Sequence, residues 1–139
     1  MTTLSERLVQ LFQANNNITF LKKILLLDDS EDIIDIVKEV LSYEQFEVHA
    51  LRHSEGLLAE AQRFRPDLIL LDYRLRDTDG KQLCQMFKAH PDFKSIPVII
   101  FSAYFHADID FASFGCDAFI AKPFDIEELT NTVRSLIGN

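Results

Sequence analysis

Cysteine is scarce in this chain, positive charge is outnumbered and long apolar runs are missing; each shortage excludes a class of protein. Two cysteines, Cys84 and Cys116, occur in 139 residues. Neither belongs to a CxxC pair and both stand among apolar neighbours, so they read as small core residues rather than redox or disulfide groups. Lysine and arginine total 14 against 22 aspartates and glutamates, a net charge of -8. With no basic block to offset it, that balance repels a phosphate backbone and argues against nucleic acid as a partner. No stretch approaches the about 20 apolar residues that cross a bilayer, and the N-terminus lacks the basic-then-apolar order of a signal peptide. The expectation is a cytoplasmic protein with no membrane partner. His49, His53, His90 and His106 have no metal-binding spacing. Internal repeats and low-complexity tracts are also absent, and the length suits one domain.

What is present is a recurring pattern, clearest in Leu68 to Gly80, LILLDYRLRDTDG. Leu68, Ile69, Leu70 and Leu71 read as a strand buried on both faces that stops at Asp72. Ile24 to Leu27 stop in the same way at Asp28 and Asp29, Val98 to Phe101 at Ser102, and Ala118 to Ala121 at Lys122 and Pro123. Ligands of open parallel sheets bind outside the carboxyl ends of the strands. The pattern therefore gathers three acids, a hydroxyl and an amine on one edge.

Between these strands the spacing is helical. Ile33, Ile34, Val37, Val40 and Leu41 share a face after Ser30, a plausible cap. Ser54 is expected to start the next helix, through Leu57, Leu58, Ala61 and Phe64, with Pro66 closing it. Leu83, Met86 and Phe87 mark another, and Pro91 and Pro97 bracket the passage to the following strand. His106 to Phe114 carries the weakest pattern. Asp125 and Glu128 resemble a capping box before Leu129, Val133 and Leu136, and Gly138 suits the stop. Phe46, Val48 and Ala50 alternate with Glu47 and His49, as on an edge strand. Five strands alternating with five helices specify a doubly wound parallel sheet over residues 22–139. Ahead of it, residues 1–21 read as a helical extension and linker: Thr3 and Glu6 make a capping box, Leu4, Leu8, Leu11 and Phe12 an apolar stripe, and Asn15, Asn16 and Asn17 the polar end.

If Asp28, Asp29 and Asp72 come within about 4 Å of one another, each pair repels by roughly 4 kcal/mol at an effective dielectric of 20. Either a carboxyl stays protonated or a hard divalent cation sits between them, and all-oxygen ligands suit magnesium. Beside them Lys122 and Ser102 suit a phosphoryl group, and one carboxylate can itself be the nucleophile.

From about Lys22 onward the chain resembles a response regulator receiver domain, on four features in order: Asp28-Asp29, Asp72 with Asp79-Gly80, Ser102-Ala103, and Lys122-Pro123-Phe124. The resemblance implies a flavodoxin-like strand order 2-1-3-4-5 and phosphorylation of Asp72 by a histidine kinase or phosphotransfer protein. It implies Mg2+ held by Asp29, Asp72 and the backbone carbonyl of Arg74, with Asp28 acting through water. A cis peptide before Pro123 and a switch formed by Ser102 and Phe119 follow from it as well. Such a protein is a signalling phosphoacceptor rather than an enzyme. With the chain ending after its last helix, output is expected through a downstream protein target or onward phosphotransfer. The apolar stripe of the extension suggests a homodimer or another partner. Arg76 replaces a common proline, Arg74 and Tyr104 are bulky at positions that influence phosphoryl lifetime, and the segment after Ser102 is shorter than usual. Two alternatives remain: a pseudo-receiver that never carries phosphate, and an aspartyl-phosphate phosphohydrolase. The second commonly has an acid two residues after its nucleophile, where this chain has Arg74.

Overall fold

The computed structural model describes residues 3–16, 21–103 and 110–138, with side chains of the first segment described as far as residue 10. Helix α1 spans Leu4–Asn16 and is followed by strand β1 at Lys22–Leu27. The remaining elements alternate: α2 Glu31–Tyr43, β2 Phe46–Leu51, α3 Leu57–Phe64, β3 Leu68–Asp72, α4 Gly80–Ala89, β4 Val98–Ser102, β5 Ala118–Ala121 and α5 Ile126–Ile137. A 3-10 turn at Phe111–Phe114 precedes β5. The five strands are parallel in the order β2-β1-β3-β4-β5. Between α1 and α5, no helix among the described residues is long and apolar enough to cross a membrane.

The continuous apolar runs become the central strands because both of their faces are covered. Ile24 to Leu27 and Leu68 to Leu71 are all fully buried, each side chain contributing about 1.5–3 kcal/mol relative to exposure. Alternate residues feed two cores. Leu25, Leu27, Ile69 and Leu71 join Phe87 and Phe93 under α3 and α4, while Ile24, Leu26, Leu68 and Leu70 join Val37, Leu41 and Val133 under α2 and α5. At the edge, β2 buries Phe46 and exposes Glu47, as its alternation requires.

Caps fix where the helices begin. Ser30 Oγ accepts from the Ile33 N–H, and Asp79 accepts from the Gln82 N–H at 2.8 Å. Thr3 and Glu6 form the expected reciprocal box, each backbone N–H donating to the other's side chain. Several local expectations change. Ser54 does not cap α3, which starts after Gly56 at φ 73; the Ser54 N–H and hydroxyl donate instead to Asp77. Arg65, in the left-handed region, ends that helix ahead of Pro66. Asp125 receives the Glu127 N–H rather than that of Glu128. Asn15 and Asn16 continue α1 instead of starting a linker, while Asn17, Tyr104, His106 and the side chains of Leu11 and Phe12 lie outside the described residues.

Candidate functional site

The strand order 2-1-3-4-5 reverses the direction of winding between β1 and β3, opening a crevice beyond their carboxyl ends. Asp28 and Asp29 follow β1 directly, and Asp72 is the last residue of β3. One carboxylate oxygen from each of the three lies within 4.8 Å of the others. Lys122 reaches this group from the end of β5, with Nζ 2.8 Å from Asp28 Oδ2 and 3.5 Å from Asp72 Oδ1. Ser102 ends β4, almost fully buried, and its carbonyl accepts the Lys122 N–H at 2.8 Å. The peptide bond from Lys122 to Pro123 is cis.

The electrostatics of this cluster are uneven. Asp28 is fully buried, and its two oxygens are engaged, Oδ1 by the Ser30 N–H at 2.8 Å and Oδ2 by Lys122. Asp29 stands closer to solvent. Burial pushes the Asp72 carboxyl up from 3.8 to about 6; Lys122 opposes that rise, and the charge on Asp28 adds to it. Desolvation thus outweighs the nearby cation, the expected order for a carboxylate that leaves water without full pairing.

A divalent cation fits these donors. Oxygens bound to magnesium at about 2.1 Å stand at most about 4.2 Å apart, so separations up to 4.8 Å close with small side-chain adjustments. Three carboxylates against one ammonium leave a charge that such an ion neutralises. Asp28 already accepts one hydrogen bond or ion pair on each oxygen, from the Ser30 N–H and Lys122, whereas Asp29 stands closer to solvent.

The surrounding backbone holds Asp72 in place. Gly80 opens α4 with its N–H 2.7 Å from the Tyr73 carbonyl. A Cβ at Gly80 would stand 2.9 Å from the Asp72 carbonyl oxygen and 3.0 Å from Tyr73 Cα, so only glycine permits this approach. Between them Arg74 and Asp79 form a bridge, and the Leu75 N–H meets the Thr78 carbonyl across a tight turn. The Arg74 backbone N–H also bonds the Asp72 carboxylate. The loop that carries Arg76 is hydrogen-bonded at its base, and Asp77 at its tip is tied to Ser54.

Phe119, on β5, is half-buried and stacks on Phe111 with ring centres 4.0 Å apart. Phe111 meets Tyr73 edge-on, so aromatic contacts run from the residue after Asp72 to β5. Neither this chain of rings nor the clamp between Ser54 and Asp77 was legible in the residue spacing, because both join loops that meet only in space. Arg76 Nε lies 4.0 Å from Asp29 Oδ2, and Arg52 donates to the Asp29 carbonyl at 3.3 Å.

Comparison with known proteins agrees with this geometry. The chain is 27% identical to the polar-differentiation response regulator DivK of Brucella anthropi, over 85% of its own length and 98% of that protein. It is 28% identical to the sensory transduction protein BceR of Halalkalibacterium halodurans over 83% of its length, but spans only 49% of that relative. Its fold matches the receiver domain of a sensor histidine kinase from Pseudomonas aeruginosa, solved with magnesium coordinated in its active site cleft. That match has a TM-score of 0.76 at 25% identity and covers 86% of this chain and 99% of the other. The sequence model of the response regulator receiver domain matches residues 24–134, a span that includes the acids at the ends of β1 and β3 and the lysine after β5, and by that match the chain belongs to the response regulator receiver family.

Proposed function

We propose that Asp72 is the phosphoacceptor of a two-component switch, loaded from the phosphohistidine of a histidine kinase or phosphotransfer protein. The observation that carries this reading is the Asp72 carboxyl at the end of a fully buried strand, with Lys122 3.5 Å away and two further acids beside it. An Asp72 oxygen attacks phosphorus as the bond to the donor imidazole breaks, and the electron pair leaves with the imidazole nitrogen. Mg2+, held by Asp29, Asp72 and the Arg74 carbonyl, with Asp28 acting through water, would supply charge neutralisation at a phosphoryl oxygen. Lys122 neutralises a second oxygen, and the Ser102 hydroxyl donates to a third.

In this reading Ser102 and Phe119 form the switch. As Ser102 turns to the phosphoryl group, Phe119 moves inward, which requires its stack on Phe111 to open and carries the 3-10 turn with it. The output is a contact with a downstream protein. Helix α1 couples the receiver to a further partner, in the simplest case a second copy: Leu4 and Leu8 are 73% and 57% exposed, and a helix this short is marginal alone in water. The deciding experiment treats the protein with acetyl phosphate and Mg2+ and maps the acyl phosphate. Label at Asp72 that is lost in Asp72→Asn is expected, and undiminished label on that variant overturns the assignment. A wild type that never takes label leaves an interaction module that keeps the fold without the chemistry.

A further inference from the structure

Phosphoryl donors are anions, and this site meets them with anions. Three carboxylates line it, Lys122 offsets one of them, and a divalent cation bound there would offset the other two. A dianionic phosphoryl group entering that balanced site brings two uncompensated negative charges toward a chain whose net charge is already -8. The rim beside Asp29 carries positive charge. Arg76 Nε lies 4.0 Å from Asp29 Oδ2, and the side chain is 82% exposed at the mouth of the site.

Its placement is built rather than incidental. Arg76 stands at the tip of the Leu75–Thr78 turn, whose ends are joined by the Leu75 N–H and the Thr78 carbonyl, and whose base is the Arg74 to Asp79 bridge. The next residue, Asp77, is tied to the neighbouring loop by the Ser54 N–H and hydroxyl. That tie fixes the tip beside Asp29 and turns the Asp77 carboxylate, which the Ser54 hydrogen bond holds below its ordinary range, toward Ser54, while the Arg76 guanidinium faces Asp29. Arg52 donates to the Asp29 carbonyl and shares its charge with Glu31.

We infer that Arg76 is a positioning residue for the phosphoryl donor: it draws the donor's phosphoryl oxygens to the Asp29 side of the site, aligned for attack by Asp72. This rests on the phosphoacceptor reading above. The guanidinium presents a planar fork that suits phosphoryl oxygens, and its 4.0 Å ion-pair contact with Asp29 is loose enough to be exchanged for the incoming anion. With acetyl phosphate, the Asp72 oxygen forms the new bond to phosphorus. The bond from phosphorus to the acetyl oxygen breaks, and acetate leaves as the carboxylate with that electron pair, so no proton is consumed. Arg76 makes and breaks no bond; it raises the local concentration of the donor and orients it.

The test compares wild type, Arg76→Ala and Arg76→Lys in Mg2+ for the second-order rate of Asp72 labelling by acetyl phosphate, with Mg2+ affinity measured separately by calorimetry. Loss of one nearby positive charge is expected to slow labelling by roughly three- to tenfold at low salt. The ratio of wild-type to Arg76→Ala rates should shrink toward one as ionic strength rises to about 0.5 M, where screening acts over about 4 Å. Arg76→Lys should recover part of the rate, and the Mg2+ affinity of Arg76→Ala should be unchanged or tighter because a competing cation is gone. Equal labelling rates in wild type and Arg76→Ala, or a rate ratio indifferent to salt, overturn the inference. Weakened Mg2+ binding in Arg76→Ala overturns it too, since Arg76 would then act by assembling the metal site. A wild type without label instead overturns the phosphoacceptor reading itself, so the two failures are distinguishable. The side chain is exposed, so equal melting temperatures for the three proteins are expected and provide the control.

Discussion

Lys122 donates to Asp28 across 94 residues of sequence, at 2.8 Å, and the carboxylate it meets is fully buried. Removing one partner of such a pair strands the other charge in low dielectric, which costs about 3–5 kcal/mol. Lys122→Ala is therefore expected to lower stability in EDTA by about that amount, and added Mg2+ to recover more stability than it gives the wild type. Denaturant titrations with and without metal check both halves.

Asp72 titrates with the opposite sign to an ordinary paired carboxylate. Its folded pKa is raised, from 3.8 to about 6, so its contribution is fully present below pH 4 and is lost as pH rises through 6. At about 1.4 kcal/mol per unit, ionised Asp72 costs roughly 3 kcal/mol at neutral pH without metal. Asp72→Asn should then match the wild type near pH 4 and exceed it by about that much at pH 7 to 8. Melting curves in EDTA across this range read the difference directly, and a gap that does not change with pH counts against it.

Asp29→Ala removes one of the crowded carboxylates. Lost Mg2+ affinity with equal or greater metal-free stability is expected, because like-charge repulsion falls together with the ligand. Retention of the wild-type magnesium titration would put the metal elsewhere.

Gly80→Ala places a methyl group 2.9 Å from the Asp72 carbonyl oxygen. Backbone has no far end to swing away, so the helix must shift, and overpacking of this kind costs about 1–3 kcal/mol. The shift moves Asp72 relative to Lys122, so slower labelling should accompany the lower melting temperature. A variant that melts lower yet labels at the wild-type rate would show that α4 yields without moving Asp72.

For α1, light scattering on the full chain and on one starting at Asn17 measures what its exposed leucines do. A mass rising with concentration in the first and constant in the second is the expected result. A full-length monomer at every concentration, with or without a phosphate analogue, removes the self-association through a two-fold contact.

The sheet was legible in the chain because four-residue apolar runs ending in polar groups have few other places to go. Ile24 to Leu27 and Leu68 to Leu71 can satisfy both backbone and side chains only as covered parallel strands, and that alone put Asp28, Asp29, Asp72, Ser102 and Lys122 at strand ends. Ser30 and Gly138 act locally, within a turn of their own residues, and local chemistry is readable from local sequence. Ser54 was misread for the same reason: it has the composition of a cap, but its partner Asp77 is distant in sequence and comes near only when two loops fold over the same edge. The close approach of Gly80 to Asp72, the stack of Phe119 on Phe111 and the reach of Arg76 to Asp29 are likewise decided by packing between elements. The residues alone determined which chemical groups stand at the carboxyl edge of the sheet. Tertiary structure decided their distances, and with them which carboxylate is buried, which is paired and which is left to titrate near neutrality, since burial and Coulomb energy depend on separations that spacing along a chain does not contain.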